Sequence, residues 1–290
     1  VGKIVEVSLT YRSDIEDISY PFTYSVTERG DYIILSGRIN LENLNVDGIF
    51  WDLKIVAKNS LGTKNLSVAF TRMQRQSLLT RNIQCDLGEH ILFPHITIKG
   101  KLAFTHREKT PYDNGVTRIK ELAAFITYKL LRKRLKKKHV WLVYEKFCSM
   151  AQDNGYYFFK YCMEELSDSQ NNNIYYVLDP KSSDWNKVSK YGKNVVKFMS
   201  FRHMLYNMAA GIYVGADSRK HLYVWRAKPN RVSSVMRKKK TYFLQHGVTA
   251  LKRVDGIFGA HGSSPMTYFC TTSKYEQDIV VDNFGYDREH

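Results

Sequence analysis

The sequence lacks most of the signatures that classify a protein at a glance. It holds four cysteines, Cys85, Cys148, Cys162 and Cys270, and no two stand at a CxxC spacing. A structural zinc site, a thioredoxin-type redox pair and a disulfide framework therefore lack support. Free thiols in a reducing compartment are the plain reading. No GxGxxG follows the first strand of the α/β region and no Walker A loop is present, which argues against a dinucleotide oxidoreductase and a P-loop NTPase. No HExxH or paired histidines suggest a metal, and no cofactor is evident. No apolar run approaches the ~20 residues that cross a bilayer. The opening residues, VGKIVEVSLTYRSD, have no apolar signal-peptide core. A soluble or peripheral protein is expected. The chain begins at Val1 rather than Met, as a segment of a longer protein would. Acidic side chains are also scarce: 28 Asp and Glu stand against 44 Lys and Arg, a net charge of +16. Anionic lipid, nucleic acid and phosphate-rich substrates become plausible partners.

What is present is a globular composition, 43% hydrophobic with 20 Tyr and 15 Phe in 290 residues. That length suits two domains. Residues 1–115 read as all-β. IVEVSLTYR, DYIILSGRINL, IFWDLKIVAKN, TKNLSVAF and HITIKGKLAF alternate apolar and polar positions. Turn signals (ERGD, NVDG, SLGT, LGEH) separate them. Short alternating strands with regular turns predict a sandwich, here an immunoglobulin-like one without the Cys-Trp-Cys hallmark. HREKTPYDNG, polar with Pro111 and Gly115, reads as a linker.

Residues 116–138 change character. Ile119, Leu122, Ala123, Ile126, Leu130 and Leu131 fall at helical spacing. The helix ends in seven basic side chains, Lys129, Arg132, Lys133, Arg134, Lys136, Lys137 and Lys138. A solvated charged face, a nucleic-acid contact and a membrane-surface helix are all readings of this pattern. A basic amphipathic helix with apolar residues on its other face fits an interfacial location. A second basic cluster runs from Arg226 to Lys240. No RRM, KH or helix-turn-helix signature accompanies either cluster, so nucleic acid is not the expected partner.

From His139 to His290 strands and helices alternate. HVWLVYEK, NIYYVLD, GIYVGAD, KKTYFLQHG and MTYFCTTS read as strands. NGYYFFKYCMEEL, SFRHMLYNMAA and KYEQDIVVDNFG read as helices. The alternation predicts a parallel sheet with βαβ crossovers, one Rossmann-like domain. Ligands bind such sheets beyond the carboxyl ends of the strands. There His246-Gly247 follows the strand ending at Gln245, with Lys252 close behind. Gly247 permits close backbone approach or a positive φ. A lone histidine beside a loop is commonly just a polar group, and spacing alone leaves both readings open. Asp153 or Asn154 can cap the next helix, with Gly155 letting the chain turn; its N-terminus can bind an anion or be an ordinary cap. Ser273 and Glu276 have the spacing of a capping box.

Glu145, DNGYYFFKY, IYYVLD, GADS, FLQHGVTALKRV and FCTTSKYE follow one another in an order that resembles the CDP-glycerol glycerophosphotransferases, the teichoic acid polymerase family of Gram-positive bacteria. The resemblance covers about residues 139–290, and HG-x-x-x-LK is its most specific element. It implies a GT-B architecture of two Rossmann-like domains, of which this chain would hold the first. It implies transfer of glycerol phosphate or ribitol phosphate from CDP-glycerol or CDP-ribitol to a lipid-linked polymer acceptor. The site would be peripheral, at the cytoplasmic face of the membrane. By motif, His246 would be the general base, and Gly247, Lys252, Asn154 and Gly155 would contact substrate. Many polymerases of the family have Trp before the histidine and Thr-Pro after the glycine. Here Gln245 and Val248-Thr249 stand instead, which suggests a divergent subgroup with another acceptor. The family's donor-binding half has no counterpart before His290, and His261 is not its second histidine. A fragment inactive on its own is expected. A GT-B glycosyltransferase using a sugar nucleotide and a non-catalytic polymer- or membrane-binding module are the alternatives.

Overall fold

The computed structural model describes residues 2–41, 48–68, 70–81, 83–97, 99–167, 172–245, 247 and 253–288. Two compact units divide between Thr110 and Pro111.

The first unit is antiparallel and β-rich. Its strands are β1 (Lys3–Tyr11), β2 (Ser19–Pro21), β3 (Thr23–Arg29), β4 (Tyr32–Arg38), β5 (Phe50–Asn59), β6 (Gly62–Leu66), β7 (Cys85–Leu87), β8 (His90–Ile96) and β9 (Leu102–Glu108), with helix α1 (Arg72–Thr80) before β7. A curled sheet runs in the order β2-β1-β5-β9-β8-β7, and β6 also pairs with β5. The curl centres on β5. One edge of it bonds β1 along its length; the other bonds β9 at Phe50–Asp52 and β6 from Ile55 onward. β3 and β4 form a separate hairpin whose turn holds Gly30 at φ +60°, a conformation that suits glycine. Tyr24, Ile33 and Leu35 of the hairpin pack on Ile4, Val7 and Ile55 of the sheet. Trp51 is fully buried, donates through Nε1 to the Gly48 carbonyl at 2.9 Å and lies between the Tyr11 and Tyr20 rings.

Three local readings change here. HITIKGKLAF is not one strand. Thr97 N–H bonds the Lys101 carbonyl, and Gly100 at φ +77° turns the chain between β8 and β9. The supposed linker begins inside β9, where His106 and Arg107 are buried. Helix α1 was not expected; Thr71 and Gln74 close a capping box at its start.

The second unit is a parallel α/β structure. Along the chain come α2 (Gly115–Lys136), β10 (Trp141–Tyr144), α3 (Asn154–Glu165), β11 (Ile174–Leu178), α4 (Trp185–Ser189), β12 (Val195–Lys197), α5 (Phe201–Ala209), β13 (Ile212–Gly215), α6 (Arg231–Met236), β14 (Lys240–Phe243), α7 (Asp255–Phe258), β15 (Tyr268–Phe269) and α8 (Lys274–Phe284). The sheet order is β12-β11-β10-β13-β14-β15, every pairing parallel. Counted from β10 as the first strand, this is 3-2-1-4-5-6, with the order reversing between β10 and β13.

Both faces of the sheet are covered. Leu142, Tyr144, Tyr175, Val177 and Tyr213 form one buried cluster with residues of α2, α5 and α6. Val143, Tyr176, Leu178 and Val214 form another with Phe159 and Cys162 of α3 and Val188 of α4. Burial on both sides explains why β11 reads IYYVL without a polar residue.

The helix α2 packs through an unexpected stripe. Its buried residues are Thr117, Glu121, Ala124, Tyr128 and Leu135. Ile119 is 71% exposed and Leu130 79% exposed, and Leu122, Ala123, Ile126 and Leu131 also face solvent. The apolar periodicity correctly located the helix but not its packed side. The buried Glu121 accepts from the Tyr223 hydroxyl at 2.6 Å and lies 3.3 Å from Arg118. Burial raises the Glu121 pKa, which these partners oppose. No helix among the described residues is long and apolar enough to cross a membrane.

Candidate functional site

The carboxyl ends of β10, β13 and β14 meet at the reversal of strand order. β10 passes directly into Glu145, which is buried. Its carboxylate accepts from the amides of Gln152 at 2.9 Å, Asp153 at 2.9 Å and Tyr156 at 2.7 Å. Burial raises the Glu145 pKa, and the three amides oppose that shift. The carboxylate thus occupies the N-terminal end of α3, where the sequence allowed an external anion. Asp153 is the N-cap residue, its side chain accepting from Asn154 N–H at 2.7 Å.

The two expected substrate contacts on α3 have local partners. Gly155 is buried against the strand: a Cβ there would lie 3.0 Å from the Tyr144 carbonyl oxygen and 3.1 Å from Glu145 Cγ. Asn154 reaches across to the end of β14. Its Nδ2 donates to the Gln245 carbonyl at 2.7 Å and to the Leu244 carbonyl at 3.3 Å. The fold therefore joins the DNG segment to the FLQHG segment, 91 residues apart.

Gln245 is itself held on three sides. It is buried, its φ is +64°, and its Nε2 donates to Glu276 Oε1. Glu276, 1% exposed, also accepts from Thr272 N–H at 2.7 Å and Thr272 Oγ1 at 2.9 Å. Ser273 caps α8 by accepting from Glu276 N–H at 3.2 Å. The Glu276 carboxylate serves the neighbouring loop, so this is half a capping box joined to the Gln245 turn. Gly247 is exposed, and a Cβ added there would meet nothing within 4 Å. Gln245 takes up the left-handed conformation at the end of the strand. His246 and Lys252 lie outside the described residues.

A second group at the same edge was not singled out from the sequence. His221 Nδ1 lies 3.1 Å from Asp217 Oδ2. Phe147 stacks on the His221 ring with centroids 4.3 Å apart, and Trp225 meets it edge-on at 4.7 Å. Arg226 lies over Trp225 and Lys146 over Phe147. Both loops are strained: Phe147 and Cys148 after β10 and Arg226 after β13 all have φ between +51° and +56°. The Tyr144 hydroxyl donates to the Asp217 carbonyl at 2.7 Å, tying β10 to the loop after β13. The signal for this pair was GADS followed by a histidine four residues after its aspartate. It was legible only as spacing, because a 3-10 turn at Arg219–Leu222 brings the two together.

The arrangement offers a buried imidazole whose Nδ1 makes no hydrogen bond among the described residues but lies beside a carboxylate, with aromatic faces and nearby cations, a set suited to planar or anionic ligands. Cys148 is buried, and burial pushes its thiol well up, so it is not a ready nucleophile. Cys162 lies in the core, while Cys85 and Cys270 are exposed and free. Among the described residues no group of three or more His, Cys, Asp or Glu can hold a metal ion. A cleft at the opposite, amino edge of the sheet is bordered by His139, Trp141, Tyr161 and Asn173, away from these groups. The seven basic residues expected at a membrane, from Lys129 to Lys138, are all exposed. No protein-family model, curated protein or solved structure matches the chain.

Proposed function

We propose that this chain is the base-bearing half of a CDP-alditol phosphotransferase of the teichoic acid polymerase type. It would be peripheral at the cytoplasmic face of the membrane and act on a lipid-linked acceptor. The α/β unit would be the first Rossmann-like half of a GT-B enzyme, and the β-rich unit an immunoglobulin-like accessory domain. One observation carries the reading. Glu145, the DNG segment, GADS and FLQ are separated in sequence, yet their residues meet at one sheet edge.

His246 would take the proton of an acceptor hydroxyl as that oxygen attacks the β-phosphorus of CDP-glycerol or CDP-ribitol. The bond from that phosphorus to the bridging oxygen breaks, and CMP leaves. A histidine with a near-neutral pKa suits this role. Gly247 would leave room for substrate, and Lys252 would offset developing phosphate charge. Asn154 would serve the site by holding the Gln245 carbonyl, with Gly155 setting the approach of α3.

The test is CMP release from CDP-glycerol and from CDP-ribitol by the intact protein that carries this sequence, with a membrane acceptor extract. His246→Ala should lower turnover by about 100-fold or more, the usual contribution of a general base. The preferred donor would name the alditol. No CMP from either donor, or full turnover in the variant, would refute the proposal. Release from UDP- or GDP-sugars instead would point to a glycosyltransferase.

A further inference from the structure

The helix α2 has two opposed stripes. At about 100° per residue, Thr117, Glu121, Ala124, Tyr128 and Leu135 fall within an arc of about 60°, and these are its buried residues. Val116, Ile119, Ala123, Ile126 and Leu130 fall on the opposite side, within about 80°, and all are exposed. The apolar stripe is about 20 Å long at 1.5 Å per residue. Continued toward the C-terminus, the same side carries Lys133, Arg134 and Lys137, and Lys129, Arg132 and Lys136 lie along one flank. The one acidic side chain of α2, Glu121, is on the buried stripe. The outward surface is thus apolar at one end, cationic at the other, and free of negative charge.

We propose that this outward face of α2 is a docking surface for an anionic lipid bilayer. The helix would lie in the plane of the interface, its apolar stripe entering the boundary between headgroups and acyl chains. Its basic side chains would contact lipid phosphates. Charge complementarity selects this occupant. A second copy pairing through the same stripe would bring seven further cations on its own α2 and no acidic side chain from that helix's outward face to meet them. Around the basic end the field is already positive: Lys239 is pushed down to about 8, by burial first and then by Lys136 and Arg132. The inference deepens the membrane-face reading above, but its test needs no catalytic activity and survives failure of the transfer chemistry.

The experiment is co-sedimentation of the 290-residue chain with phosphatidylcholine vesicles, with and without phosphatidylglycerol, across a salt series. The wild type should bind the anionic vesicles, and less so as salt rises. One variant combines Ile119→Ser, Ile126→Ser and Leu130→Ser. Another combines Lys133→Gln, Arg134→Gln, Lys136→Gln, Lys137→Gln and Lys138→Gln. Each should lose at least about tenfold in affinity. The first should keep its salt dependence and the second should lose most of it. All altered positions are exposed, and unchanged circular dichroism would establish that the variants fold. In a separate variant, Ile126→Trp, brominated lipid should quench the indole. Unaltered binding in the serine variant, equal binding to both vesicle types, or an unquenched Trp would overturn the proposal. A dimer abolished by the serine changes, with no vesicle binding, would assign the face to a second copy instead.

Discussion

Helices α2 and α3 belong to the same α/β unit, and both carry apolar residues at helical spacing, but they use them oppositely. In α3 the packed side carries Phe159, fully buried, and Cys162, nearly so, while Tyr157 and Tyr161 stay exposed. Its first turn is stitched down by Gly155 against the Tyr144 carbonyl and by the Glu145 carboxylate. In α2 most of the larger aliphatics turn outward, and the packed side is a narrow stripe of Thr117, a hydrogen-bonded Glu121, Ala124, Tyr128 and Leu135. Apolar periodicity therefore establishes that a helix has a face. It does not establish what the face meets. Small residues allow the close approach of a neighbouring helix, and Tyr223, 102 residues from Glu121, makes burial of its carboxylate tolerable.

The comparison can be broken at either helix. The largest effect is expected at Gly155→Val. The added side chain meets backbone and Glu145 at about van der Waals limits or closer, and its β-branch adds atoms to a site already closed. A loss of about 1–3 kcal/mol is expected, as for overpacking in general. Urea denaturation followed by the helical circular dichroism would measure it. No loss would mean that α3 is less tightly seated than these distances indicate.

An effect confined to acid pH is expected at α5, one of the helices packed with α2. His203 is fully buried, accepts from Met199 N–H at 3.0 Å, and is held by burial at about 3, well below its ordinary 6.5. The unfolded chain takes up its proton near 6.5 and the folded chain only near 3. Between those values the unfolded state binds more protons, so stability falls as pH drops through the window. The slope from this group approaches ~1.4 kcal/mol per pH unit. His203→Gln should flatten the acid limb of a stability profile; an unchanged limb would assign acid sensitivity to other groups.

The smallest effect is expected at Ile119→Ser on the outward face of α2. Stability should stay within about 0.5 kcal/mol of the wild type. A loss comparable with that of Gly155→Val would mean that Ile119 is covered in solution.

Much of the α/β unit was legible because its signals are local. β10, β11 and β13 are short apolar runs, and α3, α5 and α8 begin at residues able to cap them. What escaped was too short to carry a period: β12 has three residues and α4 has five. The strand read as KKTYFLQHG ends at Phe243, because the chain leaves extended geometry at the left-handed Gln245. In the β-rich unit the alternation was readable, but the hairpin of β3 and β4 and the break at Gly100 were not, since both depend on turns. At the candidate site, the spacing of DNG and FLQHG was visible, whereas the bond from Asn154 to the Gln245 carbonyl was not.

The sequence by itself determined the succession of strands and helices, the basic end of α2 and the excess of positive charge. These follow from side chains within a turn or two of one another, and from composition. The tertiary structure alone decided which stripe of α2 is buried, that Glu145 rather than an outside anion occupies the start of α3, and that Asp217 faces His221. Burial and pairing depend on groups brought together from distant parts of the chain, and a local period carries no information about them.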